Sequence, residues 1–169
     1  MPPQPVMRAL TPGDMADVAR LHDQVFGPGR FARTAYRVRE GRPNKGLPLS
    51  AYCRCVVQGS RLVGALSLTA IRIGETPGAL LLGPIVVDPE FAGQGYGRRL
   101  IADALAAARA GGERLVVLVG DAPYYGPLGF KVIPPGQITL PGPVNPARLL
   151  AAELVDGALA DYRGTIGGR

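Results

Sequence analysis

The sequence predicts a single α/β domain: a mixed, twisted central sheet with helices on both faces. Three observations predict it. Residues 79–87 and 114–120 are almost wholly apolar apart from Gly83, Pro84, Arg114 and Gly120, as strands covered on both faces are. Between them, Leu100, Ile101, Ala104, Leu105 and Ala108 recur at helical spacing and form one apolar stripe. Strand, helix, strand in that order implies parallel pairing through a right-handed crossover.

The remaining elements follow in chain order. Met7 to Leu10 reads as a short strand. Thr11 is an N-cap candidate, with Pro12 at the first helical position and Asp14 three residues on. Met15, Val18, Ala19, Leu21, His22 and Val25 then keep helical spacing. Residues 26–31 break that helix, 32–39 form a second helical piece, and 41–48 is a loop by its Gly and Pro content. Residues 51–57 and 62–73 are strand-like, with a hairpin turn at 58–61 between them. A further turn covers 74–78. Gly83-Pro84 interrupts the 79–87 strand; because Pro cannot donate to a ladder, the pair marks a bulge or a splayed edge. Gly111 and Gly112 end the helix that starts near Arg98. Residues 121–130 make a loop or helical turn, 130–133 a strand, 141–146 a loop, 147–155 a helix, and 162–166 a last short strand. No repeat appears, and no linker separates domains.

The chain has 169 residues, enough for one domain and barely for two. No stretch approaches the roughly 18 uncharged apolar residues of a membrane span. The start, MPPQPVMRAL, has neither an apolar core nor a cleavage site of secretory type. Cys53 and Cys55 lack a second Cys/His pair to complete a metal site and read as reduced thiols. The expectation is a cytoplasmic protein with no membrane partner and no metal. The net charge of +6 is carried by Arg, apart from Lys45 and Lys131. Such a balance attracts polyanions, either nucleic acid or a phosphate-bearing small molecule. The Arg residues are dispersed and Trp is absent, which disfavours a stacking platform for nucleic acid. His22 is the only histidine and sits on the first helix, so mechanisms needing several histidines are excluded.

Gly93, Gly95 and Gly97 lie between a strand and a helix. The phosphate loop of nucleotide hydrolases requires a Lys that is missing here, and the spacing fails the dinucleotide fingerprint. Two readings stay open. The glycines permit a tight strand-to-helix turn, or they clear side chains from the helix's unpaired first amides, which then cradle a phosphate. Arg98 and Arg99 at the helix entry add positive charge.

The stretch VVDPEFAGQGYGRRLI at 86–101 resembles the acetyl-CoA-binding motif of the GNAT superfamily of N-acetyltransferases: a strand ending V-x-P, then [Q/R]-x-x-G-x-[G/A], then a helix. Gly95 and Gly97 hold the two small positions, and Ala92 stands where the family has Gln or Arg. The segment APYYGPLGF at 122–130 resembles the family's later segment, with Tyr125 four residues before Gly129-Phe130. The opening strand and helix also match, so the resemblance covers roughly 7–133, with 134–169 as a C-terminal extension of the same domain. The 121–130 form is similar to a bacterial branch of predicted acetyltransferases.

That resemblance implies a GNAT-like fold in which the strands at 81–87 and 115–120 splay apart to hold coenzyme A. Ile85, Val86 and Val87 would line the first strand's exposed edge, with Ile85 and Val87 pairing the pantetheine arm. Ala92, Gly93, Gln94, Gly95, Tyr96, Gly97 and Arg98 would grip the pyrophosphate. It implies acetyl-CoA as cosubstrate and direct attack by a primary amine of a small molecule or peptide. Tyr125 would be the general acid for the departing thiolate, and Tyr124 a packing residue. Asp121 is a tentative base, equally placed to cap a turn; Asp88 and Glu75 are weaker candidates. Arg30, Arg33, Arg37 and Arg39 would line an acceptor cleft or form a solvated helix face. A non-catalytic acyl-CoA sensor and a transferase of longer acyl groups are the rival readings, and the protein is expected as a monomer or homodimer.

Overall fold

The computed structural model describes residues 4–26 and 50–168. The expected helix at 32–39, the loop at 41–48 and Arg30, Arg33, Arg37 and Arg39 lie outside them. The elements are β1 (Val6–Ala9), α1 (Met15–Phe26), β2 (Arg54–Gln58), β3 (Arg61–Ile73), β4 (Thr76–Val87), α2 (Tyr96–Ala110), β5 (Leu115–Val119), α3 (Ala122–Tyr125), β6 (Lys131–Val132), β7 (Ile138–Thr139), β8 (Leu149–Glu153) and β9 (Gly164–Gly168). The strands run β1-β2-β3-β4-β5-β8-β6 across the sheet, while β9 pairs with β3 and β7 with β9. Among the described residues, β4–β5 and β7–β9 pair parallel and the other pairs antiparallel.

The entry to α1 follows its sequence signals. Thr11 and Asp14 form a capping box around the turn Pro12–Asp14. Arg8 on β1 grips Asp14 with two guanidinium bonds of 2.8 and 2.9 Å. The Arg8 guanidinium holds the Asp14 carboxyl well below the usual carboxylate range, against a burial effect of opposite sign, and Thr11 adds to the lowering.

Side-chain alternation sends the two faces of β4 and β5 into different cores. Leu80, Leu82, Val116 and Leu118 pack with Leu100, Ile101, Ala104 and Leu105 of α2. Ala79, Leu81, Leu115 and Val117 point to the opposite face, under Ile133, Ile138, Leu140 and Tyr162. On that same face, near β2 and β3, α1 buries Val18 and Leu21 against Cys55, Ala65 and Val86. Even-numbered Leu82 faces α2 whereas even-numbered Val86 faces α1. The bulge at Gly83-Pro84 causes the switch: β3 advances from Leu66 to Leu68 while β4 advances from Leu82 to Ile85.

Residues 147–155 depart from expectation. Instead of a helix they form a 3-10 turn, Pro146–Arg148, and then β8. Leu, Ala and Glu favour helix in isolation, but β5 offers an unpaired edge that accepts Leu149 to Glu153 in antiparallel register. Leu149 to Ala152 are buried there, and an apolar run of this length suits a covered strand as well as a helix. The last strand lies two residues later than expected. Residues 134–168 are also woven into the sheet: β8 separates β5 from β6, and β9 takes over the β3 edge where β2 has ended. Tyr162 is fully buried, and its hydroxyl donates to the Pro77 carbonyl at the start of β4 (2.7 Å).

Candidate active site

The parallel register of β4 and β5 covers only Ala79–Leu81 against Leu115–Val117. Past Leu81 the two strands part, each still paired on its outer side, β4 to β3 and β5 to β8. The amide of Asp88 donates to Val63 on β3 (2.7 Å). Antiparallel alternation therefore turns the peptide groups of Val86 toward β3 as well, and those of Ile85 and Val87 into the gap. Val86 does not share that edge: its peptide faces β3 and its side chain is buried beside α1. Ile85 and Val87 are half-buried on the α2 side.

At the open end of the gap stands the glycine loop. Asp88 caps the turn Pro89–Phe91, accepting from the Glu90 amide (3.0 Å). The Ala92 amide is taken by the Pro89 carbonyl (3.2 Å), so Ala92 contributes no free donor. From Gly93 to Arg98 the amides have no acceptor among the described residues; the first bond into the helix is Arg99 to the Gly95 carbonyl (3.1 Å). Gly93 and Gly95 have φ of +79° and +83°, values that disfavour any side chain. A Cβ on either would point into open space. At these two positions, then, glycine serves the turn itself. Gly97 is different: it is helical, and a Cβ there would lie 3.1 Å from the Tyr124 hydroxyl and 3.9 Å from Ile85 and Val87. The first turn of α2 has no acidic residue, so the helix dipole and the exposed Arg98 and Arg99 act unopposed on whatever binds there.

Across the gap, α3 follows β5. The Asp121 carbonyl accepts the amides of Tyr124 and Tyr125 (3.0 and 3.1 Å). Tyr125 is half-buried, edge-on to Tyr124 and Phe130 with ring centres 4.8 and 5.8 Å away. Its ring lies against Gly120, where any Cβ would collide with it. Tyr124 does more than pack: its hydroxyl reaches Gly97, and Arg98 sits over its ring at 5.4 Å, closing α3 onto the start of α2.

The three carboxylate candidates fare differently. The Asp121 side chain is exposed and paired with Arg148 (3.3 Å), and it makes no cap bond. Asp88 is buried and pairs with Arg61 (2.8 Å). Burial alone would raise its carboxyl, but the Glu90 amide and the Arg61 guanidinium outweigh burial and hold it low, so it serves as an anchor. Glu75 is in the β3–β4 turn, at the end of β4 remote from the glycine loop. His22 is buried in α1. Sequence reasoning missed Arg61, Gly120 and the reach of Tyr124; Arg61 lies 27 residues from its partner Asp88, and no local pattern announces such a contact. Among the described residues no group of His, Cys, Asp and Glu could hold a metal ion, and no helix is long and apolar enough to cross a membrane.

Comparison with known proteins agrees with this geometry. Residues 6–133 match the family model described as an acetyltransferase (GNAT) domain. No curated protein matches the chain. Among solved structures, the fold is similar to the Escherichia coli GNAT family N-acetyltransferase YhbS in complex with CoA, at 20% identity and a TM-score of 0.82, covering 98% of this chain and 90% of that one. A GNAT family acetyltransferase from Brucella melitensis in complex with acetyl-CoA aligns at 25% identity with a TM-score of 0.64, covering 92% and 97%. N-acetylglutamate synthase from Neisseria gonorrhoeae, complexed with coenzyme A and N-acetyl-glutamate, aligns at 18% identity with a TM-score of 0.62, over 90% of this chain and 35% of that one.

Proposed function

The chain belongs to the GNAT acetyltransferase family, and from that premise we propose that it transfers an acetyl group from acetyl-CoA to a primary amine by direct attack. The observation that carries this reading is the row of unengaged amides from Gly93 to Arg98 at the open end of the parted strands. Those amides, with the α2 dipole and Arg98, bind the diphosphate of coenzyme A. The peptide groups of Ile85 and Val87 pair with the amides of the pantetheine arm, which satisfies a sheet edge that would otherwise lack partners. The acetyl thioester then lies between β4 and β5 among apolar side chains.

Holding the thioester and a neutral amine side by side supplies much of the rate gain in such a transfer. The amine nitrogen forms a bond to the acetyl carbon, the carbon–sulfur bond breaks, and Tyr125 gives the leaving thiolate its proton. A tyrosine hydroxyl is a proton donor that a departing thiolate can use. The amine's surplus proton passes to water or to the exposed Asp121, while Asp88 is held by Arg61.

The test is thiol release from acetyl-CoA against pools of small amines and peptide N-termini. Release with any of these pools supports the reading. Coenzyme A binding without thiol release from any pool, and with Tyr125→Phe unchanged, points to the acyl-CoA sensor instead.

A further inference from the structure

The glycine loop cannot hold its own shape. Gly93 and Gly95 have no side chains, a Cβ on either would touch nothing, and the amides from Gly93 to Arg98 bond to no described residue. A loop with so few internal contacts is floppy unless its ends are fixed. Both ends lead to one side chain. Arg61 opens β3 just after the β2–β3 hairpin. Its NH2 lies 2.8 Å from Asp88 and 3.0 Å from Glu90, which brace the turn preceding the loop. Its guanidinium centre also sits 5.1 Å over the Phe91 ring. Phe91 in turn meets Tyr96 edge-on at 6.2 Å, and Tyr96 is the buried first residue of α2. Arg61 therefore touches the turn on the near side directly and the helix start on the far side through Phe91.

We infer that Arg61 is a positioning residue that sets the spacing of the glycine-loop amides for the diphosphate, an inference that rests on the coenzyme A reading of that loop. One guanidinium nitrogen meets both carboxylates while the centre of the group sits over the Phe91 ring, a spread of contacts that the compact ammonium of Lys does not cover in full. A misplaced amide row weakens several hydrogen bonds to one ligand together.

The test titrates coenzyme A into the full chain and into Arg61→Met, Arg61→Lys and Glu90→Gln, by calorimetry, with thermal melts and the 15N–1H shifts of Gly93, Gly95 and Gly97. Arg61→Met is expected to raise the Kd about tenfold and Arg61→Lys about threefold, with the three glycine amides shifted in the free protein and a lower Tm in Arg61→Met, which leaves the buried Asp88 without its guanidinium. Glu90→Gln, at an exposed side chain where folding is not at stake, is expected to raise the Kd about twofold. An unchanged Kd in both Arg61 variants, or losses that track the Tm alone while the glycine shifts stay put, overturns the inference. If the Gly93–Gly97 amides of the unaltered chain do not move on saturation with coenzyme A, the reading of the loop itself has failed, independently of Arg61.

Discussion

Gly97 is where a single atom separates loop geometry from binding. Its backbone is helical, so a methyl there costs no conformational strain, yet that methyl points at Tyr124, Ile85 and Val87 inside the gap. Gly97→Ala is expected to leave the Tm within about 3 °C, because only the far end of the exposed Tyr124 must yield, and to weaken coenzyme A binding severalfold in calorimetry. Gly95 behaves in the opposite way. At φ +83°, Gly95→Ala strains the backbone by about 1–3 kcal/mol, so lost affinity comes with a lower Tm and cannot by itself identify a phosphate site. Tyr125 is tested twice. Tyr125→Phe is expected to lower kcat about 10²-fold or more, in the range a positioned acid supplies, with the coenzyme A Kd little changed. Gly120→Ala leaves the phenol in the chain but drives its ring out of place, so kcat falls there too; wild-type turnover in both variants removes Tyr125 from the acid role.

Among the elements, the entry to α1 carries the clearest pH dependence. Arg8, on β1, and the capping box hold the Asp14 carboxyl below its ordinary value, and Asp88 is held low as well. A folded-state pKa below the unfolded one means stabilisation that is complete above the unfolded value, about 3.9, and lost as pH falls through the folded value. The Tm of the native chain should therefore be level near neutrality and drop below about pH 4. Asp14→Asn should lower the Tm at pH 7 and flatten that acid slope; an equal slope in the variant would show that the ion pair does not stabilise α1. The bulge in β4 is a second element-scale device. It hands Val86 to the α1 core while leaving Ile85 and Val87 on the α2 side, so one strand both seals a core and presents a free edge. Gly83-Pro84 revealed the interruption in the sequence, but which face each later residue takes depends on the count of residues opposite in β3.

Across the whole molecule, residues 134–168 are a structural part of the sheet. Gln137 bonds the carbonyls of Leu159 and Tyr162 (2.9 and 3.0 Å), and Tyr162 bonds Pro77. Truncation after Ile133 would strip β8 from β5, β9 from β3 and the cover from Leu81, Leu115 and Val117. Such a protein is expected to show no cooperative thermal transition by circular dichroism, and a sharp melt would show that 134–168 is a detachable addition. Leu150→Ala, at a fully buried site in β8, should cost about 2–5 kcal/mol in urea unfolding. The sequence by itself determined the elements whose signals are local: the cap at Thr11, the hairpin at Gly59-Ser60, the α2 stripe and the glycine punctuation before it. It also determined the family, because the 86–101 and 122–130 motifs are short, contiguous and ordered. Only the tertiary structure decided that 149–153 is a strand, that Asp88 is an anchor, and that Arg61 lies against the turn before the loop. Each of those outcomes hangs on a partner distant in the chain, such as an open β5 edge or a guanidinium on another hairpin, and spacing along one segment carries no record of what will be packed against it.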